Sequence, residues 1–325
     1  MYPYVKPHFS LEKQAARLNK RGIHIAPERF LYAQEVLGRI GYIKFTSYAR
    51  PFRRTNQAGF IIGEKFKPGV TFDMVLELYE FDRKLRILLL EALHIIELSL
   101  AVSIAYVLGE HDKYAHLNTT SLNESLCNLS PKGKSTAYQD WKSNYISARK
   151  KALSHPYMAN FVAKHGDQEP VPIWIAIEFF DFGMLTGLVR LMNAKDVDKV
   201  RKHMNSNLSS NSAFMDWMGG MQSLRNYCAH GSRLFNNHYL ETPDDINTKK
   251  VDPLIEHLTR IDRDEKRKLY FLAAFAGYLI KKIDPASDWG QRFALHCFDF
   301  RFDPYLSLVD YSGFPEGWED NSLWE

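Results

Sequence analysis

Apolar residues recur every third or fourth position along most of the chain, which is the spacing of an amphipathic helix. Strand-like alternation is rare, although residues 40–66 are compatible with a small β element. The longest predicted helix begins at Thr71 or Asp73, either of which can cap it, and extends to about Val107. We therefore expect an all-α protein. The apolar stripe of the long helix contains Leu78, Phe81, Leu85, Leu88, Ala92 and Ile95.

Glycines, prolines and polar stretches divide the rest of the chain into further helices and loops. Residues 11–40 predict two helices with a break at Lys20–Gly22 and a restart at Pro27. The segment 173–192 after Pro172 is apolar nearly all round, so we expect it to be a central core element. The other predicted helices cover residues 138–151, 196–204, 213–231, 264–282 and 287–298, with loops at 111–136 and 205–212.

These elements predict an antiparallel bundle of long helices. Residues 1–67 are expected to form a small N-terminal helical module with a basic and aromatic connector, 68–300 the helical bundle, and 301–325 an irregular aromatic tail packed on it. A hydrophobic content of 45% in 325 residues suffices for such a core. The apolar run Ile87–Gly109 carries Glu91 and Glu97, which would be costly in a bilayer, so we expect a core helix and no membrane contact.

Charge and cysteine content narrow the function only slightly. A net charge of +4 does not by itself indicate a nucleic-acid binder, so any basic surface has to be local. Three isolated cysteines favour a reducing compartment, and we expect a cytoplasmic protein. The sequence contains no glycine-rich phosphate loop, zinc-type spacing or GxSxG motif, so we predict neither a metal nor a cofactor. Glu110, His111, Asp112 and His116 lack regular metal-site spacing, and we interpret them as a solvated turn.

The segment 223–237, SLRNYCAHGSRLFNN, concentrates the candidate chemistry. Arg225 and His230 fit a pattern of arginine, four to six residues and histidine that the chain contains four times, so the pattern alone has no weight. This occurrence lies within helical apolar spacing, and Gly231 stands where the helix would stop. On such a helix Asn226 and His230 share one side, and Arg225 lies about 140° from His230. The other occurrences are Arg17/His24, Arg149/His155 and Arg233/His238.

Six segments, taken together and in order, resemble the Abi family, the bacterial abortive-infection proteins of the AbiD and AbiF type in the HEPN superfamily. They are LEKQAARLNKRGIHI, IGYIKFTSYARPF, ELYEFDRKLRILLLEALHIIE, PIWIAIEFFDFGML, LRNYCAHGSRLFN and GFPEGW. The resemblance implies an all-α HEPN-type bundle, a homodimer, and a metal-independent ribonuclease site at Arg225, Asn226 and His230. It further implies a toxin of phage defence that an RNA or protein antitoxin restrains. The glycine after His230 replaces an expected bulkier residue, which leaves the end of the helix open.

These residue types suit the cleavage of RNA, because the 2′-OH of RNA is a built-in nucleophile. An imidazole changes its charge near neutral pH and can act as general base or general acid. A guanidinium stays charged and can donate two N–H groups to phosphate oxygens, while Asn226 can bind the phosphate or orient the imidazole. The expected products are a 2′,3′-cyclic phosphate and a 5′-OH end, formed in a cleft that two protomers share.

Other interpretations stay open from the sequence. The protein is alternatively a non-catalytic RNA-binding or regulatory HEPN protein, or it acts on nucleotides or on a phage protein. Arginines near aromatic residues in the connector can track RNA beside Tyr48 and Phe52, or they belong to a loop packed on its own core. The tentative RNA-binding residues are Arg233, which can instead be a helix-end cation, and Arg50, Arg53 and Arg54.

Three acidic residues lie in apolar surroundings, where an unpaired charge is costly. They are Glu97, Glu178 and Asp181. We expect them to pair with arginines, with Arg225 and Arg86 as candidate partners.

Overall fold

The computed structural model describes residues 7–130, 133, 135–208, 210–239 and 251–325, and these are mostly helical, which confirms the all-α prediction. The α-helices are α1 (Leu11–Lys20), α2 (Phe30–Ile40), α3 (Tyr42–Ala49), α4 (Phe72–Gly109), α5 (Glu124–Cys127), α6 (Ala137–Ala152), α7 (Pro156–His165), α8 (Ile173–Ala176), α9 (Phe182–Val189), α10 (Ala194–His203), α11 (Asn211–Ala229), α12 (Leu269–Ile283), α13 (Trp289–Phe298) and α14 (Leu308–Ser312). Short 3-10 turns cover Pro27–Arg29, Arg50–Phe52, Ala115–Leu117, Thr119–Ser121, Ile177–Phe179, Pro253–Arg260, Glu265–Arg267, Trp318–Asp320 and Ser322–Trp324.

The N-terminal part consists of three short helices and a β-hairpin. The first two helices end and restart near the predicted break, and Ser10 caps α1 by accepting a hydrogen bond from the N–H of Lys13. The connector is more ordered than a loop, because α3 fills its first half. Its second half is a hairpin in which β1 (Arg53–Thr55) pairs antiparallel with β2 (Ile61–Phe66). The small β element expected within residues 40–66 is therefore present.

Helix α4 is the centre of the fold. Thr71 caps it by accepting a hydrogen bond from the N–H of Met74 at 3.2 Å, as predicted, and the helix continues to Gly109. It is long and apolar enough to cross a membrane by those two criteria alone, but it packs against α3 and against every helix from α8 to α13. It is therefore the core helix of this bundle. Contacts on several sides bury Leu89, Leu93 and Ile96 more completely than the predicted stripe positions Leu88 and Ile95.

The apolar segment after Pro172 is not one continuous helix. It forms α8 and a 3-10 turn, becomes extended at Phe180, and restarts as α9. The carboxylate of Asp181 accepts a hydrogen bond from the N–H of Met184 at 2.8 Å, so this residue caps a new helix instead of continuing the previous one. Apolar periodicity could not reveal this break, because both pieces are apolar.

The sequence pattern did not predict several shorter elements. Helix α7 begins at Pro156, and a 3-10 helix covers Pro253–Arg260. The predicted loop at 111–136 contains short helical turns and α5 in its described part. Helix α12 starts at Leu269, later than predicted, because residues 265–267 form a 3-10 turn.

The aromatic tail contributes to the core at one side of the bundle. Trp324 is buried and its ring lies 4.9 Å from the ring of Phe293 in α13. A Cβ atom at Gly277 in α12 would lie 3.2 Å from the Trp324 ring, so glycine permits this close packing. A single cluster of buried residues includes positions from all three predicted segments. The division at residues 67 and 300 stays a prediction about folding units.

Candidate functional site

Helix α11 carries all three residues of the predicted site. Arg225 and Asn226 lie in its last turns, and His230 is its C-cap residue. The side chains of Asn226 and His230 are exposed, while the side chain of Arg225 is 34% exposed. Because one helix holds the three residues within about two turns, their backbones form a rigid unit. The structure thus brings the predicted residues together at one end of α11.

Gly231 explains how α11 ends directly after His230. Its φ of 63° is left-handed, a conformation that glycine adopts without steric cost. The N–H of Gly231 donates to the carbonyl oxygen of Cys228 at 3.1 Å, and the N–H of Ser232 donates to that of Tyr227 at 2.9 Å. This pair of bonds is the Schellman arrangement of a helix C-terminus. The glycine that departs from the expected pattern therefore defines the end of the helix.

Helix α3 of the N-terminal part reaches this helix end. The Nζ of Lys44 donates a hydrogen bond to the carbonyl oxygen of Gly231. Burial and the nearby charge of Arg86 lower the pKa of Lys44, and the charge of Asp82 opposes them. A cation near the unpaired carbonyl groups of a helix C-terminus is favourable. The N-terminal part therefore helps to hold His230 in place.

A buried carboxylate fixes the chain that follows α11. Asp82 is fully buried and accepts hydrogen bonds from the hydroxyl of Tyr48 at 2.6 Å and from Nη1 of Arg86 at 2.5 Å. It also accepts from the backbone N–H groups of Leu234, at 3.1 Å, and Phe235, at 2.7 Å. Burial raises the pKa of Asp82, and these four donors oppose that shift by stabilising the carboxylate. Helices α3 and α4 are thereby tied to the segment after the site.

A second acidic residue of α4 contacts the site directly. Oε2 of Glu97 lies 3.6 Å from Nε of Arg225, which confirms the predicted pairing of these two residues. Burial raises the pKa of Glu97, and Arg225 and the backbone N–H of Phe182 oppose that shift. The Glu97 side chain is 17% exposed, so the pair is only partly screened by solvent. Its carboxylate therefore holds the Arg225 side chain toward α4.

The expectation of arginine partners is wrong for the other acidic residues. Asp181 caps α9, as described, and makes no ion pair within the described part of the chain. Glu178 is exposed, so it needs no partner. Arg86 pairs with Asp82, which sequence reasoning missed although the two residues are spaced i,i+4 on an apolar helix.

The side chain of Arg233 makes hydrogen bonds within the fold. Its guanidinium donates to the carbonyl oxygens of Ser47 and, at 3.0 Å, Asn236, and burial lowers its pKa. Its bonds connect α3 with the segment after α11. The structure thus gives this arginine a positioning role, and a contact with RNA phosphate stays a prediction.

The connector does not present the expected stacking surface. Tyr48 and Phe52 are fully buried, so these rings do not offer a stacking surface for RNA bases, and the alternative interpretation of a connector packed on its own core holds for them. Helix α3 directs the ring of Tyr48 into the core, and the 3-10 turn Arg50–Phe52 does the same for Phe52. The Nε of Arg54 donates to the carbonyl oxygen of Phe66 at 3.0 Å, and the guanidinium of Arg53 lies 5.9 Å from the Phe66 ring. Arg50 is exposed.

The solvated-turn interpretation of residues 110–116 holds only in part. Glu110 pairs with Lys199 and His111 with Asp196 near the surface. His116, in contrast, is fully buried among the rings of Trp141, Tyr145 and Phe180, which lie 5.6–6.3 Å from it. Burial lowers the pKa of His116 to about 3. Among the described residues, no three His, Cys, Asp or Glu side chains are grouped so that they could hold a metal ion.

The fold and the site define an all-α bundle protein with a polar cluster at the exposed end of one bundle helix. The family model of Abi-like proteins matches residues 35–236, and the chain belongs to this family. The predicted Abi assignment is confirmed, and it associates the protein with abortive infection. The matched range extends from α2 to the segment after α11 and includes Arg225, Asn226 and His230. No curated protein and no solved structure matches the chain. Placement in the HEPN superfamily stays a prediction.

Proposed function

We propose that this protein is an endoribonuclease toxin of abortive infection, and that Arg225, Asn226 and His230 form its active site. The observation that carries this proposal is the exposure of Asn226 and His230 at a helix end whose surroundings are fixed. Lys44 and Asp82 hold that helix end in place, because they bind backbone groups of Gly231 and Phe235. We further propose that it acts in the cytoplasm and that an RNA or protein antitoxin restrains it.

The reaction is a transesterification within the RNA strand. A general base removes the proton of the 2′-OH, the 2′ oxygen bonds to phosphorus, and the bond from phosphorus to the 5′ oxygen breaks. A general acid gives a proton to the departing 5′ oxygen. Imidazole suits both proton transfers, and two copies of His230 from two protomers would supply the base and the acid. The products are a 2′,3′-cyclic phosphate and a 5′-OH end.

Arg225 would stabilise the negative charge that grows on the phosphate oxygens. Its contact with Glu97 uses Nε, and within the described part of the chain its side chain makes no other ion pair. The terminal N–H groups of the guanidinium would then donate to the phosphate oxygens. Asn226 is exposed one helical turn before His230, where its amide would bind a phosphate oxygen or orient the imidazole.

A second copy of the chain would complete the cleft. Leu98, Val102 and Tyr106 follow Glu97 along α4 at intervals of four residues, and their side chains are 54%, 46% and 60% exposed. Exposed apolar stripes of this kind mark interaction surfaces. Since the stripe begins beside the residue that contacts Arg225, a homodimer formed there would bring two copies of the site near each other. Replacing Leu98 and Val102 by glutamate would then convert a dimer into monomers in light scattering and reduce cleavage.

The proposal is tested with purified full-length protein and labelled RNA in the presence of a chelator. We expect the wild type to release fragments that end in a 2′,3′-cyclic phosphate. His230→Ala and Arg225→Ala should each lower the cleavage rate at least about a hundredfold, the usual contribution of a general acid or base or of an oxyanion donor. His238→Ala is the matched control, because this histidine is also exposed but lies outside α11.

Two results would contradict the proposal. Equal cleavage by the wild type and by the His230→Ala variant would remove the histidine from the reaction. Binding of RNA without any cleavage, together with growth arrest that both variants preserve, would favour the non-catalytic RNA-binding protein. Circular dichroism and unfolding curves of each variant exclude loss of the fold as the cause.

A further inference from the structure

A polar groove lies beside the candidate site, between α6, the bend before α9, and α11. Its volume is about 610 Å³, within the range of small-molecule sites. Asn144 and Lys151 of α6 line one side, Glu178 and Phe179 line the bend, and Gln222 of α11 lines the other side. We call this feature the α6–α9 groove. The proposed reaction uses none of these five residues.

Gln222 connects the groove to the site. It precedes His230 by eight residues on the same helix, which corresponds to about 12 Å along the axis and a rotation of about 80°. Asn226 lies halfway between them, four residues from each. A single strand that places a phosphate at His230 would therefore reach the groove within one or two nucleotides.

The amide of Gln222 is held in a defined orientation. Its Oε1 accepts a hydrogen bond from the hydroxyl of Thr186 at 2.6 Å, so its Nε2 is the group left for a ligand. Gly183 leaves the space beside it. A Cβ atom at position 183 would lie 3.1 Å from Nε2 of Gln222 and 3.2 Å from Oδ1 of Asp181. The absence of that side chain keeps an amide donor and a carboxylate acceptor open toward the groove.

The lining favours a flat, uncharged ligand with N–H donors. Phe179 is only partly buried and provides a ring for stacking. Asn144 and Gln222 supply amide groups, and Glu178 and Asp181 supply carboxylates. The lining contains two carboxylates and one lysine, and the excess of carboxylates opposes the binding of a free phosphate because like charges repel. Carboxylates accept readily from the amino groups of nucleobases, and single-stranded RNA is read by stacking and by hydrogen bonds to base edges.

We propose that the α6–α9 groove binds one base of the RNA strand near the cut, and that it selects adenine, cytosine or guanine over uracil. This inference rests on the proposed ribonuclease function. The first three bases carry an exocyclic amino group that donates to a carboxylate. Uracil has no amino group, and its N3–H donor lies between two carbonyl oxygens that the carboxylates of Glu178 and Asp181 would repel.

Binding is measured with the His230→Ala variant, which is expected not to cut its ligand, and with fluorescent single-stranded pentamers of adenylate, cytidylate or uridylate. We expect the adenylate and cytidylate pentamers to bind at least about fivefold more tightly than the uridylate pentamer. Adding Glu178→Gln should narrow that ratio to below about twofold, because an amide presents a donor to the uracil carbonyl. Glu110→Gln, which changes an exposed acid outside the groove, should preserve it.

Gln222→Ala is the second groove variant, and Asp181 is left intact because it caps α9. Loss of the preference for amino-bearing bases in Gln222→Ala would support the proposal. Equal binding of the adenylate and uridylate pentamers to the His230→Ala variant, or an unchanged ratio in both groove variants, would overturn it. Cleavage assays on the wild type test the ribonuclease function separately. Cleavage by the wild type, together with binding that shows no base preference, would contradict the proposal for the groove and leave the ribonuclease function standing.

Discussion

Removal of the Asp82 carboxylate should destabilise the protein strongly. In Asp82→Ala the guanidinium of Arg86 stays buried without its anion, and the N–H groups of Leu234 and Phe235 lose their acceptor. Breaking a buried ion pair on one side costs about 3–5 kcal/mol, and each buried unpaired donor costs about 1–3 kcal/mol. Water entering the vacated space offsets part of this loss, so we expect a decrease of about 5 kcal/mol in the free energy of unfolding.

A loss of that size is a large part of the 5–15 kcal/mol that ordinarily stabilises a folded domain. Asp82→Asn should cost less, about 3 kcal/mol, because the amide oxygen can still accept from backbone N–H groups while the charge is lost. Urea unfolding at pH 7.5, followed by circular dichroism, measures both variants. Glu80→Ala is the matched control, because Glu80 pairs with Arg83 on the exposed side of the same helix, where an ion pair contributes at most about 1 kcal/mol.

The reasoning fails if Asp82→Ala lowers the free energy of unfolding by less than about 1 kcal/mol with an unchanged slope against urea. Hydrogen exchange gives an independent measurement. The amide protons of Leu234 and Phe235 should exchange faster in Asp82→Asn than in the wild type, and by a larger factor than those in the middle of α12, which report only the loss of global stability. Equal exchange at both amide groups would show that they do not depend on the carboxylate.

Three further changes test other parts of the fold. Burial lowers the pKa of His116 to about 3, so the stabilisation that the neutral imidazole provides is complete above about pH 6.5 and is lost as the pH falls. His116→Phe should therefore flatten the decline in the free energy of unfolding between pH 6.5 and 4.5 by about 1.4 kcal/mol per pH unit. Urea curves measure this, and a slope equal to that of a His8→Phe control contradicts it. Gly231→Ala should lower the free energy of unfolding by about 1–2 kcal/mol in the same assay, because a residue with a Cβ atom is strained at this left-handed φ. An unchanged free energy of unfolding would contradict the expected strain. Glu97→Gln should slow single-turnover RNA cleavage about tenfold without weakening RNA binding, whereas Glu80→Gln should not, and unchanged cleavage would separate Glu97 from the site.

Periodicity predicted the elements whose burial is one-sided or whose ends carry local signals. Helix α4 begins at its predicted cap, and α11 ends beside the glycine that the sequence marked as its stop. Both signals are local, because a capping side chain or a left-handed glycine acts within a few residues. The same reasoning failed after Pro172, where two apolar helices meet and only the capping carboxylate of Asp181 marks the break.

The pairing of Glu97 with Arg225 was predictable from the sequence, but the support of the segment after α11 was not. Apolar surroundings correctly indicated that Glu97 needs Arg225, since an unpaired charge there is costly. The role of Asp82 depends on donors 34 and more than 150 residues away in the chain, which no local pattern connects. The burial of Tyr48 and Phe52 likewise depends on α3 and on the 3-10 turn that follows it, elements that the basic and aromatic residues of the connector did not suggest.

Helix α4 fixes the candidate site from both sides. Glu97 contacts Arg225, which precedes His230, and Asp82 binds the backbone of Leu234, which follows it. Helix α4 and the segment 225–234 therefore run in opposite directions. The two acidic residues are about 22 Å apart along α4. Between Arg225 and Leu234 the chain completes α11 and makes the left-handed turn at Gly231 before it reaches Asp82. His230 therefore lies between two anchors on one rigid helix. The backbone on both sides thus sets the position of His230 at the exposed end of α11.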